Sequence, residues 1–147
     1  MLLKVSKLSC KGTVSLYKNG QLVRVVPNLV VNGGIALTAS LLVGSGTAPS
    51  HAAIGTGTTE PQVTDTALAA EYARGSASRS LTTTAVTDDT AVFEREFSFT
   101  EEVSITESGL FNASSSGTLF SRATFTAVPL KYGDILLIRW KVQSSWA

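Results

Sequence analysis

The chain has little of the chemistry that active sites and metal centres usually need, since its 147 residues include one cysteine and one histidine. The single cysteine, Cys10, excludes an intrachain disulfide and is most simply a small apolar filler in a strand. The single histidine, His51, gives weak support for a zinc site or a Ser–His–carboxylate triad, because both need further groups in a defined arrangement. We predict that His51 lies in a loop or at a strand edge.

Long apolar runs and an excess of charge of one sign are also missing. The longest apolar-rich piece, residues 35–43, is interrupted by Thr38 and Ser40, and a membrane helix needs roughly 20 apolar residues. Residues 1–7 lack the apolar run of a signal peptide. Twelve basic and eleven acidic residues leave a net charge of +1, whereas phosphate-backbone binding needs a sustained positive field. These absences predict a soluble chain that binds neither a membrane nor nucleic acid.

Motifs for cofactors, metals and catalysis fail at particular positions. Gly55-Thr-Gly57 begins like a phosphate-binding loop, but Glu60 stands where the dinucleotide pattern has its third glycine. The carboxylates lack the spacing of a calcium loop, and no Gly-x-Ser-x-Gly elbow marks a nucleophile. We therefore expect no cofactor, no metal and no catalytic residue. A paired-carboxylate glycosidase stays open, because the separation of two carboxylates is a three-dimensional property.

What the sequence does have is an alternation of apolar and polar residues over residues 91–142, which is typical of half-buried strands. Short, turn-rich connections at residues 112–117 and 131–134 favour antiparallel pairing. The clearest run places four apolar side chains on one face: Leu136, Ile138, Trp140 and Val142. These patterns predict an all-β fold, an antiparallel, jelly-roll-like β-sandwich formed by one domain over residues 1–147.

The first part of the chain carries a hairpin signal and a helix signal. Residues 1–27 are predicted to form an N-terminal arm and a β-hairpin, because Asn19-Gly20 suits a type I′ turn between two apolar runs. One short α-helix is predicted over residues 32–43, with Asn32 as its N-cap. Its apolar stripe, which should cover the sheet, comprises Ile35, Ala39 and Leu42.

The main strands are predicted within residues 51–143. A long connection follows the first of them, and a short helical turn over Leu68–Glu71 is expected there, capped by Asp65 or Thr66. A strand rich in serine and threonine is predicted over Ser78–Val86.

Glu107 is the most unusual carboxylate, because strand alternation gives it the parity of Ile105 and Phe111. A carboxylate on an apolar face must find a partner or shift its pKa. Arg122 lies across a short turn from Glu107, and we predict that the two form a buried or interfacial ion pair. A catalytic acid is the less favoured interpretation. Three other arginines are also available as partners: Arg74, Arg79 and Arg95.

Two features of the sequence suggest contact with other molecules. Residues 76–90 are rich in serine and threonine where charged side chains would be expected, and short side chains lose less rotamer entropy in an interface. Trp146 lies near the C-terminus, where it either folds back or inserts into a partner. The predicted interface residues are Leu2, Leu3, Val5 and Trp146.

Six segments of the chain form a set of motifs. They include Ala-Ile-Gly-Thr-Gly-Thr-Thr-x-Pro, Asp-Thr-Ala-Leu-x-x-Glu, Glu-Ser-Gly-Leu-Phe and a closing Gly-Asp-x-Leu-x-Ile-x-Trp. The segments span nearly the whole chain, as residues 28–34, 53–61, 65–71, 107–111, 117–122 and 133–140. Together they resemble the motifs of small virion proteins of tailed bacteriophages. Arg74 also fits, as an arginine that closely follows the second of the motifs.

The resemblance implies a non-enzymatic structural protein of the virion, made in the host cytoplasm. Members of the family resemble capsid decoration (cement) proteins, tail-fibre or collar pieces and head fibres. We favour decoration, because the chain has no coiled-coil stalk that would give a fibre its reach. The expected partners are the major capsid protein, on the outer capsid surface, and further copies of the chain in a homotrimer. The alternative is a tail-fibre, collar or head-fibre module that binds a host receptor such as a glycan, and a cell-surface hydrolase is a third interpretation.

Overall fold

The computed structural model describes residues 6–146, which form two antiparallel five-stranded sheets and one helix. Sheet A has the strand order β2-β1-β10-β7-β6, and sheet B has the order β3-β9-β8-β4-β5. The predicted all-β sandwich with one short helix is therefore confirmed. In chain order the elements are β1 (Leu8–Lys18), β2 (Gln21–Pro27), β3 (Leu29–Val30), α1 (Asn32–Leu42), β4 (His51–Gly55), β5 (Glu71–Ser76), β6 (Ser78–Thr82), β7 (Thr90–Ser98), β8 (Val103–Phe111), β9 (Leu119–Leu130) and β10 (Ile135–Trp146).

The N-terminal hairpin forms where the sequence predicts it. Asn19 and Gly20 have φ angles of 50° and 83°, the left-handed values that a type I′ turn requires. The Asn19 side chain also ties the hairpin to the start of β10, since its amide donates to Asp134 Oδ1 at 3.0 Å and its oxygen accepts from the amide of Ile135 at 3.0 Å.

The main core lies between the sheets, and the alternation in β10 supplies its centre. The alternating residues Leu136, Ile138 and Trp140 are fully buried. The indole N–H of Trp140 donates to Ser108 Oγ at 3.2 Å, and that hydroxyl donates to the carbonyl of Ala53 at 2.7 Å. The one polar atom of the largest core side chain is therefore satisfied, as burial demands.

The central strands of sheet B, β4 and the second half of β8, are buried on both faces, because residues 56–70 lie across the outer side of the sheet. A second apolar cluster forms there from Val31, Ala53, Leu68, Phe111 and Leu119. The helical turn predicted over Leu68–Glu71 is wrong: Glu71 begins β5. The amides of Ala69 and Ala70 donate to a carboxylate from β8 instead of closing helical hydrogen bonds.

The strand predicted over Ser78–Val86 is shorter in the structure and ends at Thr82. Asp89 explains the early end. Its carboxylate accepts hydrogen bonds from the backbone amides of Thr84, Ala85 and Val86, at 2.8, 3.0 and 3.0 Å. A turn closed in this way leaves those amides unable to continue a strand ladder.

The helix begins and ends close to the prediction, but it packs through a different face. Val31 is the N-cap, and it makes no side-chain capping hydrogen bond, so the predicted capping role of Asn32 is wrong. The buried helical residues are Gly34 and Leu37, whereas Ile35 and Leu42 from the predicted stripe are 62% and 77% exposed. A close approach of the helix to β9 sets this rotation.

Gly34 makes that approach possible. A Cβ atom at position 34 would lie 2.1 Å from the carbonyl oxygen of Phe120. We expect Gly34→Ala to destabilise the fold by about 1–3 kcal/mol through overpacking, although alanine favours a helix by roughly 0.5–1 kcal/mol. Chemical denaturation measures the change. Gly33→Ala is the control, since its Cβ would lie 3.0 Å from the nearest backbone oxygen, and an equal loss in both variants would contradict the packing argument.

In the described part of the chain, no helix is long and apolar enough to cross a membrane.

Candidate functional site

The predicted partners Glu107 and Arg122 lie in direct contact on the outer side of sheet B. Arg122 Nη2 is 2.8 Å from Glu107 Oε2, and the side chains are 2% and 0% exposed. A second carboxylate, that of Asp65, lies 2.9 Å from Arg122 Nη1. One buried guanidinium therefore joins a strand of the sheet to the segment that covers it, and we call these three residues the ion network.

The carboxylate of Glu107 also organises the backbone of the covering segment. It accepts hydrogen bonds from the amides of Gly57, Ala69 and Ala70 at 2.9, 3.0 and 2.8 Å. Arg122 Nη2 donates to the carbonyl of Thr59 at 2.9 Å. Both ends of the segment are thus fixed to the same ion pair.

Glycine at two positions allows the backbone to reach this carboxylate. A Cβ atom at Gly55 or at Gly57 would lie 2.5 Å from Glu107 Oε1. The Gly-x-Gly spacing, which begins like a phosphate-binding loop, therefore accommodates the protein's own carboxylate.

Glu107 does not lie on the same face of β8 as Ile105, although strand alternation predicts that it does. The register of β8 with β9 shifts between Ile105 and Glu107, and such a bulge moves the following side chains to the opposite face. Ile105 consequently belongs to the core between the sheets, while Glu107 faces the covering segment. The predicted shared face with Ile105 is therefore wrong, whereas Phe111 does lie on the side of Glu107, in the outer apolar cluster. The expectation of a buried partner holds because that outer side is also apolar and covered.

The surroundings of Glu107 hold it in the ionised form. Burial raises its pKa, but the hydrogen bonds from the Ala70, Ala69 and Gly57 amides and from Arg122 outweigh burial, and the net pKa is lowered. A carboxylate whose oxygens all accept hydrogen bonds and that stays ionised has no proton to donate as a general acid. The geometry therefore assigns Glu107 a role in folding the covering segment.

This lowered pKa predicts an acid dependence of stability. Because the folded pKa lies below the ordinary value of 4.5, the contribution of Glu107 is fully present above that value and is lost as pH falls through the folded pKa. We expect the free energy of unfolding to decrease on acidification below about pH 4.5 more steeply in the wild type than in Glu107→Gln. Urea unfolding at several pH values measures the difference, and parallel curves would contradict it.

A second ion pair fixes the turn between β8 and β9. Arg74 pairs with Glu71 at 2.6 Å, and its Nη1 donates to the carbonyls of Ala113 and Ser116 at 3.1 and 2.8 Å. The guanidinium carbon lies 3.6 Å from the ring centroid of Phe111, a cation–π contact. Arg74, one of the three alternative partners for Glu107, therefore has a separate structural role.

At the C-terminal end of β10, the core-facing side of sheet A extends beyond the part that sheet B covers. Leu8 and Trp146 are opposite each other at the end of the β1–β10 ladder and are 63% and 73% exposed. They continue the parity of the buried residues Val14 and Trp140, as strand alternation requires. The core-facing side of sheet A is therefore buried along most of the sheet but exposed to solvent at Leu8 and Trp146.

Neighbouring elements extend this open apolar region. One groove runs between β1 and α1, a second between α1 and the β6–β7 edge, and a third beside Trp146. The first and second share Cys10 and Thr38, and the second and third share Asp89 and Ser144. We define the end surface as the large exposed apolar side chains along these grooves: Leu8, Ile35, Leu41, Leu81, Val86 and Trp146.

The sequence predicted Trp146 as an interface residue, and Leu81 and Val86 lie in residues 76–90, the serine- and threonine-rich stretch that suggested contacts. It did not predict that Ile35 and Leu41 are exposed. Leu2, Leu3 and Val5, the remaining predicted interface residues, lie outside the described residues. Ile35 was assigned to the buried stripe of the helix. The signal that was available is the pair of glycines at residues 33–34, because glycine on a helix permits close packing on that side and turns larger residues outward.

The other candidate residues lie apart from the ion network. His51 begins β4 and is half-buried, and its Nδ1 is 2.8 Å from the hydroxyl of Ser50. Cys10 is half-buried in β1 and packs against the core, as expected of a small apolar filler. Among residues 6–146 no group of three or more His, Cys, Asp or Glu side chains is arranged to hold a metal ion.

Comparisons of the chain with protein-family models, with curated proteins and with solved structures find no match. The function is therefore inferred from the resemblance of the sequence segments and from the geometry of the chain itself.

Proposed function

We propose that the chain is a non-enzymatic structural protein of a bacteriophage virion, and that it binds the outside of the capsid as a decoration protein. Its partners are the major capsid protein and further copies of itself in a homotrimer. The observation that carries the proposal is the end surface, a continuous apolar region formed by the open end of a β-sandwich.

The end surface supports a binding function because its exposed side chains are large and line three grooves that share residues with one another. Contiguous apolar surface beyond a few hundred Å² is uncommon on monomeric soluble proteins and marks interaction sites. Trp146 lies in it, and tryptophan is among the residues that most often dominate binding energy. A protein that binds only the assembled shell stabilises that shell by mass action.

The ion network is a second observation, separate from the end surface, that supports a structural role. Four of the segments that carry the resemblance to phage virion proteins supply its parts: residues 53–61, 65–71, 107–111 and 117–122. Their shared task in this chain is to fasten one segment across a sheet. The residues that carry the resemblance therefore serve the fold, which is what a structural protein of the virion would need of them.

Cosedimentation with purified bare shells tests the proposal. We expect the protein to pellet with shells at saturable stoichiometry and to raise the temperature at which they disrupt, since it stabilises only the assembled state. Failure to pellet at any concentration up to the solubility limit would contradict the proposal.

A second function is favoured by one observation, the 73% exposure of the Trp146 side chain. An exposed indole can stack on the apolar face of a sugar ring, as aromatic side chains do at many wet interfaces. The chain would then be a tail-fibre, collar or head-fibre module that binds a host glycan. Binding to host cells without binding to shells would support this alternative.

A further inference from the structure

The groove between β1 and α1 has the features of a site for an extended peptide. It has a volume of about 460 Å³ and lies open along one side of β1. Apolar side chains from three elements form its walls, and its lining residues are Leu8, Ser9, Cys10, Asn28, Leu29, Val30, Ile35 and Thr38. Its size and apolar lining are those of an ordinary ligand site.

The floor of this groove is an unpaired strand edge. β1 pairs with β10 from Leu8 onward, but its pairing with β2 begins only at Thr13. The carbonyl of Gly12 accepts a hydrogen bond from Asn28 on the β2 side. Backbone groups in an antiparallel strand point to alternate sides, so the N–H and C=O groups of Cys10 and Leu8 also point to that side. No strand within residues 6–146 pairs with them there.

Asn28 adds a second unfulfilled group at the groove. Both polar atoms of its side-chain amide are buried and have no hydrogen-bond partner among the described residues. A buried amide left without partners lowers the stability of the fold, because its lost hydrogen bonds to water are not replaced. One side-chain amide can donate to a backbone carbonyl and accept from a backbone amide at the same time. Rotation of the Asn28 side chain toward the groove would therefore let it pair with an added strand.

The segment best suited to this edge by composition is Met1–Val5, which precedes β1 and holds four apolar residues and one lysine. To occupy the groove of its own chain it would have to turn back at Ser6-Lys7. Two-residue hairpins need positive φ angles, which glycine and asparagine supply, and neither residue is present there. In the structure Ser6 and Lys7 form no turn. The geometry of a single chain therefore disfavours self-occupation.

We propose that Met1–Val5 of one copy adds as a β-strand to the unpaired edge of β1 in a neighbouring copy, with its apolar side chains in the groove against Ile35 and Leu29. Addition of a strand to a free sheet edge is a common mode of peptide recognition. Five extended residues reach roughly 17 Å. Each copy gives one segment and receives one. In the homotrimer of the proposed function this contact is heterologous, and three such contacts close into a ring. The proposed contact specifies how the copies join in the homotrimer of the proposed function, on which it rests. It requires that the chain self-associates, but it does not require that the chain binds a capsid.

Disulfide trapping tests the proposal, because Cys10 is the chain's own cysteine and lies in the groove. A chain with Leu3→Cys and Cys10→Ser is co-expressed with the wild type, and the purified protein is treated with oxidised glutathione. We expect a disulfide between the introduced thiol of one copy and Cys10 of the other, seen as a dimer on a non-reducing gel. The matched control carries Thr100→Cys and Cys10→Ser. Thr100 is exposed just after β7 ends at Ser98, at the end of sheet A that is far from Leu8 and the groove.

A roughly tenfold or greater excess of cross-linked dimer over the control supports the proposal, and equal yields overturn it. A chain with Leu3→Cys and its native Cys10 shows whether the segment folds back. A disulfide formed within one chain, running as a monomer, would also overturn the proposal. Because no shells are present, these outcomes are independent of the cosedimentation result.

Variants of the groove wall give a second measurement. Ile35→Arg places a charge in the groove, whereas Leu42→Arg changes an exposed leucine of the same helix that does not line it. We expect light scattering to show an oligomer for the wild type and for Leu42→Arg, and the 15.4 kDa monomer for Ile35→Arg. A wild-type monomer at about 100 μM, well above the Kd of a typical stable assembly, would contradict the proposal, as would an unchanged oligomer in Ile35→Arg.

Discussion

Replacing Glu107 with alanine is expected to lower the free energy of unfolding by about 3–5 kcal/mol, because the change leaves the buried guanidinium of Arg122 without its main partner. The three backbone amides that Glu107 accepts from lose their acceptor as well. For a chain of this length the loss corresponds to a fall of roughly 6–20 °C in Tm. Calorimetry and urea unfolding measure it.

A surface pair provides the control for this prediction. Arg139 and Glu94 lie 3.1 Å apart with side chains 30% and 34% exposed, and exposed pairs contribute only about 0–1 kcal/mol. Glu94→Ala should therefore change Tm by a few degrees at most. Similar losses in Glu94→Ala and Glu107→Ala would contradict the importance assigned to the ion network.

The double variant Glu107→Met with Arg122→Met separates the ion pair from the backbone hydrogen bonds. Replacing both members of an isolated buried pair by apolar residues is often neutral or stabilising. In this chain the double variant is expected to remain about as unstable as either single variant, because the amides of Gly57, Ala69 and Ala70 lose their acceptor and Asp65 loses the guanidinium. Recovery of wild-type stability would show that the pair acts alone.

The second large effect is expected on binding to shells. Trp146→Ser should weaken binding by at least about 30-fold, which corresponds to the roughly 2 kcal/mol of a typical hot spot. Adding Leu81→Ser and Val86→Ser should abolish cosedimentation. All three side chains are largely exposed, so the fold is expected to keep its stability within about 0.5 kcal/mol.

Tyr132 supplies the matched control. It is 78% exposed and precedes β10, at the opposite end of that strand from Trp146. Tyr132→Ser removes an equally exposed aromatic side chain, and we expect shell binding to be unchanged. An equal loss of binding in both variants would place the shell contact elsewhere on the protein.

The fold was predictable where local chemistry and burial agree. Asn19-Gly20 fixed the first hairpin through the φ angles that its turn needs, and the alternation through Trp140 identified a core strand. The predicted contact of Glu107 with Arg122 followed from the cost of burying a lone carboxylate. These features depend on residues that are close in sequence or on opposite sides of one turn.

What was missed depends on contacts between distant segments. Ala69 and Ala70 do not form a helical turn, because their amides meet a carboxylate that is 38 and 37 residues away in sequence. Ile35 is exposed rather than buried, because Gly34 brings the helix against the carbonyl of Phe120. Helical spacing identifies an apolar stripe but not which side of a helix approaches a sheet.

The most direct test of the proposed function is the copy number of this chain in purified virus particles, measured by quantitative mass spectrometry against the major capsid protein. Decoration of the shell predicts a simple, fixed ratio of the two proteins. A few copies per particle would indicate a tail or collar component instead. Absence of the chain from the particles would contradict a structural role in the virion.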